Sequence, residues 1–66
     1  MKAPEEKPEV QLTGEDGNAF AILGRVRTAL KRAGADQEYV EKYMNEATTS
    51  DYDHLLRTTM TYVEVL

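Results

Sequence analysis

The sequence predicts a mainly α fold, a small three-helix domain whose N- and C-terminal segments can add a short two-stranded pairing and make it α+β. Three observations carry this. Apolar residues recur at helical spacing in three separate stretches, turn and cap residues punctuate the chain between them, and β-favouring residues sit near both ends. With 66 residues there is room for one domain, near the lower limit for folding without a covalent staple.

Met1 to Glu9 is a charged, proline-containing lead expected to be flexible, so the domain is placed at residues 10–66. Val10 to Leu12 alternates apolar and polar, as a single short strand would. The cluster Thr13-Gly14-Glu15-Asp16-Gly17-Asn18 combines turn formers with helix-capping side chains. A first helix is expected over Ala19 to Ala33, capped by Asn18 or Asp16. At about 100° per residue, Ala19, Ile22, Leu23, Val26, Ala29, Leu30 and Ala33 gather into one core-facing stripe. Gly34 stands where a left-handed residue ends such a helix, and Lys31 and Arg32 complement its C-terminal dipole.

Asp36 is read as the N-cap of the second helix, with Tyr39, Val40, Tyr43, Met44 and Ala47 on its inner face. Thr48-Thr49-Ser50 interrupts that pattern. Ser50 and Asp53 have capping-box spacing for a third helix, whose inner face is assigned Tyr52, Leu55, Leu56, Thr59, Met60 and Val63. After Met60 the run Thr61, Tyr62, Val63 and Val65 favours a strand, for which Val10 to Leu12 is the available neighbour. So small a core implies that the chain gains from a second subunit or another bound partner.

Composition excludes several function classes. Hydrophobic residues make up 41% and charged residues 30%, a folded rather than a disordered balance. Without cysteine there is neither a disulfide framework nor a thiolate zinc site. The longest uncharged apolar run, Ala19 to Leu23, cannot span a bilayer, and the lead lacks the apolar segment of a signal peptide, so a cytoplasmic protein without membrane association is expected. One histidine and no cysteine leave little for nucleophilic or general-base chemistry; no catalytic, cofactor-binding or metal-binding residue is assigned and no enzyme activity is expected.

The net charge of −4 is unevenly placed. Residues 1–17 set Lys2 and Lys7 against Glu5, Glu6, Glu9, Glu15 and Asp16, and residues 35–66 set Lys42 and Arg57 against seven acids. Residues 18–34 carry Arg25, Arg27, Lys31 and Arg32 and no acid. Opposite the apolar stripe of the first helix these four cations lie with Phe20 and Gly24, and this face is the candidate partner site. It could dock an acidic protein surface or a phosphate backbone; alternatively the cations pair with the acidic faces of the other two helices and serve solubility alone. The acidic total and the scarcity of interleaved aromatics favour a protein partner over nucleic acid. Gly24, costly in a helix interior, marks either the close approach of another backbone, with internal packing favoured, or a tolerated position.

Two further clusters have ordinary explanations. Gly14-Glu15-Asp16-Gly17-Asn18 lacks the ligand register of a calcium loop, and its acids would repel a phosphate, so a capped turn is expected. Asp51, Asp53 and His54 are expected to be a helix start with a histidine beside it, because neighbouring helical residues diverge. Tyr39, Tyr43, Tyr52 and Tyr62, with Phe20, Met44 and Met60, are assigned mostly to the core, with one or two tyrosines left to line an interface.

The strings Leu12-Thr13-Gly14-Glu15-Asp16-Gly17-Asn18-Ala19-Phe20, Ile22-Leu23-Gly24-Arg25-Val26-Arg27, Ala29-Leu30 and Arg32-Ala33-Gly34, together with Glu46-Ala47-Thr48, Asp51-Tyr52-Asp53-His54-Leu55-Leu56, Met60 and Tyr62-Val63, resemble a family of short hypothetical proteins of bacteriophages and mobile elements. The resemblance runs from about Val10 to the C-terminus. It implies a phage or prophage context in the bacterial cytoplasm and transfers no catalytic residue. By analogy with other small phage proteins it implies a protein partner, from the host or the phage, with self-association as a further option.

Overall fold

A computed structural model describes residues 1–12 and 18–66. The order is β1 (Glu9–Val10), α1 (Ala19–Arg32), α2 (Gln37–Ala47), α3 (Tyr52–Tyr62) and β2 (Glu64–Val65). The two strands pair in parallel, Glu9 with Glu64 and Val10 with Val65. The expected joining of the chain ends is therefore present, but its strand begins at Glu9, within the charged lead, and stops at Val10 rather than Leu12. Parallel strands need a long crossover; here the crossover is the whole three-helix unit.

Each helix starts where a side chain takes a free first-turn amide. Asn18 accepts from the Ala21 N–H and Asp36 from the Tyr39 N–H. For α3 the cap is Asp51, which accepts from the His54 N–H at 2.9 Å. The Ser50–Asp53 capping box is thus corrected by one residue: a carboxylate at Asp51 is already three positions before a free amide and has the charge to complement the helix dipole. The alternative of Asp16 capping α1, and the capped-turn reading of Gly14 to Gly17, lie outside the described residues. Gly34 follows the Ala33 C-cap with φ of 101°, a conformation L side chains avoid.

The core is a single cluster. Ile22, Leu23, Val26 and Leu30 of α1 meet Val40, Tyr43 and Ala47 of α2, Leu55 and Tyr62 of α3, Val10 of β1, and Leu12, Ala35 and Val63 from the connecting segments. On α3 the buried seam is Leu55, Thr59 and Tyr62, spaced i, i+4 and i+7. Two assignments fail here: Met60 is 56% exposed and Tyr52 faces solvent. Tyr62 is instead the last helical residue, not a strand residue, because its ring packs edge-on against Tyr39 and Tyr43 of α2, with centroids 5.4 and 5.2 Å away. Such pairs add to area burial and outweigh the strand preference of the local sequence. Thr59 is fully buried and its Oγ1 lies 2.7 Å from the Tyr43 hydroxyl, a hydrogen bond between α2 and α3 at the centre of the core.

The lead of residues 1–9, expected to be flexible, carries specific hydrogen bonds. The Lys2 N–H donates to Asp36 Oδ2 at 2.8 Å, the Lys2 carbonyl accepts from the Asp36 N–H, and the Glu5 N–H reaches the Ala33 carbonyl. The terminal amine adds 3.8 and 3.9 Å contacts to Asp36 and Glu38. Asp36 thereby caps α2 and holds the N-terminal segment at once, and the two backbone N–H donors lower its pKa.

Candidate functional site: the basic side of α1 and the edge of β1

The helical rotation divides the candidate residues of α1 between two exposed strips. Phe20, Gly24, Arg27 and Lys31 follow i, i+4, i+7, i+11 spacing and face solvent, with Phe20 88% exposed. Phe20 is therefore not a core residue. Ala21, Gly24, Arg25, Thr28 and Arg32 form the second strip, which is one wall of an open groove. The opposite wall is Pro8 to Gln11, the strand β1 and its flanks. Gly24 borders both strips. Among the described residues a Cβ built there meets nothing within 4 Å, which favours the tolerated position over the close approach of an internal backbone, and the missing side chain opens the groove.

The cations are arranged differently from the pairing that solubility alone would call for. Among the described residues Glu46 of α2 pairs with Lys42 at 3.5 Å and Asp53 of α3 with Arg57 at 3.0 Å, each within its own helix, and Glu38 faces the terminal amine, while Glu41 has no ion pair. Arg27, Lys31 and Arg32 have no carboxylate within 4.0 Å among the described residues. Arg25 is engaged in an interaction of its own and is set apart from these three.

Among the described residues the sheet edge beside them is open as well. The Pro8 and Val10 carbonyls accept from the Glu64 and Leu66 N–H groups at 2.8 and 2.9 Å. In a parallel ladder the intervening residues turn their main-chain groups the other way, so Glu9 and Gln11 present theirs away from β2. Neither has a main-chain partner among the described residues. Since no β2 residue lines the groove, it lies on that unpaired side of β1. Val10 holds the strand down by burying its side chain, while Glu9 and Gln11 are exposed. This edge was not legible in the sequence, where Val10 to Leu12 indicated a strand but nothing indicated which side of it would be covered.

The remaining candidates are structural. Asp51, Asp53 and His54 do not converge: Asp51 caps α3, Asp53 pairs with Arg57, and the His54 Nε2 lies 2.9 Å from the Glu46 carbonyl near the end of α2. No group of three or more His, Cys, Asp or Glu suited to a metal ion occurs among the described residues. Thr48 and Thr49 bond the Met44 and Glu46 carbonyls through their hydroxyls, which closes the C-terminal turn of α2. Tyr62 carries a buried hydroxyl with no well-formed hydrogen bond, and the Lys42 ammonium sits 5.4 Å from the ring centroid. Burial raises the pKa of the phenol, while the neighbouring phenol and then Glu46 raise that of Lys42. This is a core-edge arrangement, whose Lys42 and Glu46 border a shallow open cleft with Glu38, Glu41 and Asn45. Among the described residues, no helix is long and apolar enough to cross a membrane.

Comparison with protein-family models, with curated proteins and with solved structures finds no match to this chain in any of the three.

Proposed function

We propose that this chain is a small non-enzymatic protein-binding module that docks an acidic partner on the basic side of α1. The observation that carries the reading is the contrast in charge pairing. Lys42 and Arg57 find carboxylates on their own helices, whereas Arg32, in the groove wall, and Arg27 and Lys31, on the neighbouring solvent-facing strip, have none within 4.0 Å among the described residues. Unpaired cations on one face of an acidic molecule steer association with a surface of opposite sign and suppress association with like-charged ones. The phage or mobile-element context implied by the sequence resemblance fits a cytoplasmic partner, from the host bacterium or the phage.

The test is affinity capture from bacterial lysate, with and without nuclease, using the wild type beside an Arg27→Glu, Lys31→Glu, Arg32→Glu variant verified as folded by circular dichroism. A protein retained by the wild type alone, identified by mass spectrometry and insensitive to nuclease, supports the reading. Retention abolished by nuclease transfers the same face to nucleic acid, with a steep loss of affinity as salt rises. Equal capture by both baits means that the charges serve solvation only and ends the proposal.

A further inference from the structure

We infer that the partner's docking segment is an extended, acidic stretch of polypeptide that adds to the open side of β1 as a third strand and lies in the groove against α1. This rests on the protein-binding reading and specifies its mode.

Four features converge on it. Glu9 and Gln11 direct unpaired main-chain groups to the side away from β2, and such an edge is a template for another strand. The groove runs along that edge, so an incoming chain meets donors and acceptors on one side and a helix wall on the other. That wall is low where the strand would lie: Ala21, Gly24 and Thr28 have small side chains, and no described residue comes within 4 Å of a Cβ built at Gly24. Finally, the wall carries Arg32, which shares a neighbouring cavity with Glu5, Glu6, Glu9 and Glu64 but has no carboxylate within 4.0 Å among the described residues, and Arg27 and Lys31 continue the positive charge around the helix.

The charges also distinguish between occupants. A second copy of the chain joined edge to edge by a two-fold axis would bring β1 against β1. Glu9 would then approach the other copy's Glu9 region, and the cationic wall of α1 would approach its own duplicate. Like charges set opposite one another oppose that pairing. An acidic segment from a different protein passes Glu9 as well, but it sets no second cationic wall against the first, and alternate residues of an added strand point toward the helix wall, where their carboxylates reach Arg32.

Backbone amide NMR with a short synthetic peptide of alternating Glu and Val as the probe tests this. The expected result is slowed hydrogen exchange and shifted resonances at the Glu9 and Gln11 amides. A Lys–Val peptide of the same pattern should fail to bind. The Glu–Val peptide N-methylated on alternate residues should bind about three- to ten-fold more weakly when the lost N–H groups are those facing β1. Gly24→Gln, which places a helix-compatible side chain in empty space, should stay folded and lose the probe. Arg32→Glu, whose side chain is already exposed, should weaken it as well.

Shifts confined to Arg27 and Lys31, unaffected by N-methylation, would overturn strand addition and leave the basic-face reading standing. No response at the Glu9 and Gln11 amides at millimolar peptide would overturn it too. The lysate comparison of the charge-reversed variant decides the parent reading separately.

Discussion

The hydrogen bond between Tyr43 and Thr59 lends itself to a quantitative prediction, because both residues are 0% exposed and each hydroxyl has the other 2.7 Å away. Tyr43→Phe removes one partner and leaves Thr59, a helical residue that can turn its hydroxyl to the carbonyl four positions back. The cost should therefore be near that of one net hydrogen bond, about 1 kcal/mol. Thr59→Val keeps the shape of the α3 seam but strands the Tyr43 phenol away from water, and a buried unsatisfied hydroxyl costs about 1–3 kcal/mol. The double variant removes both polar groups and leaves two apolar surfaces in contact, which is nearly neutral. The two losses should thus fail to add, with a coupling of about 2–4 kcal/mol.

For a domain of this size total stability is only about 3–10 kcal/mol, so the effect is large, and each kcal/mol moves the melting temperature by about 4–8 °C. Urea unfolding of the four proteins at neutral pH, followed by far-ultraviolet circular dichroism, measures the cycle. Additivity within about 0.3–0.5 kcal/mol would refute the reasoning. It would show that water or relaxation, rather than the partner helix, satisfies these hydroxyls.

The two described glycines should respond in opposite directions to alanine. Gly24→Ala adds a methyl to empty space in a helix interior and should stabilise the fold by up to about 1 kcal/mol, whereas Gly34→Ala at φ of 101° should cost about 1–2 kcal/mol; thermal melts giving the same sign for both would contradict the local geometry. Asp36 has a folded pKa below its ordinary value of 3.8, so its contribution is complete above the unfolded pKa and is lost as pH falls through the lower folded one. Compared with Asp36→Asn, which keeps a capping acceptor, the wild type's advantage should shrink below about pH 4; a difference constant from neutrality to pH 2 would sink the assignment.

Much of the fold was legible because its signals are local. The stripe of α1, the caps at Asn18 and Asp36 and the stop at Gly34 each follow from chemistry within one or two turns. What failed were assignments decided across the core. The seam of α3 passes through Thr59, a polar residue that breaks the apolar period, and only Tyr43, on another helix, makes its burial tolerable. Thr59 was rightly placed on the inner face, but that face was drawn wide enough to take in its neighbour Met60, which lies about 100° further round the helix and is exposed. Tyr62 followed the same logic: its sequence neighbours favour a strand, and two rings of α2 keep it helical.

The candidate site was half visible. Composition located the cations on α1, because residues 18–34 hold no acid. It could not show which of the two helical strips faces a groove or which cations lack partners, since that depends on where β1 lies. The groove is a relation between segments, and no single stretch of sequence contains it.

The parallel pairing of β1 with β2 also bears on the order of folding. Its partners stand at opposite ends of the chain, so closing it costs more loop entropy than any helix–helix contact, and that cost precedes the reward of a very short ladder. The helices can nucleate and dock through nearby contacts first, with the terminal strands joining as the last event. By the same reasoning the ladder should be the first element to open in the native state, by a fluctuation that leaves the three helices together. A segment bound along β1 would then do more than occupy a surface. By stabilising one half of the final contact, it would slow that opening and couple recognition to the closure of the fold.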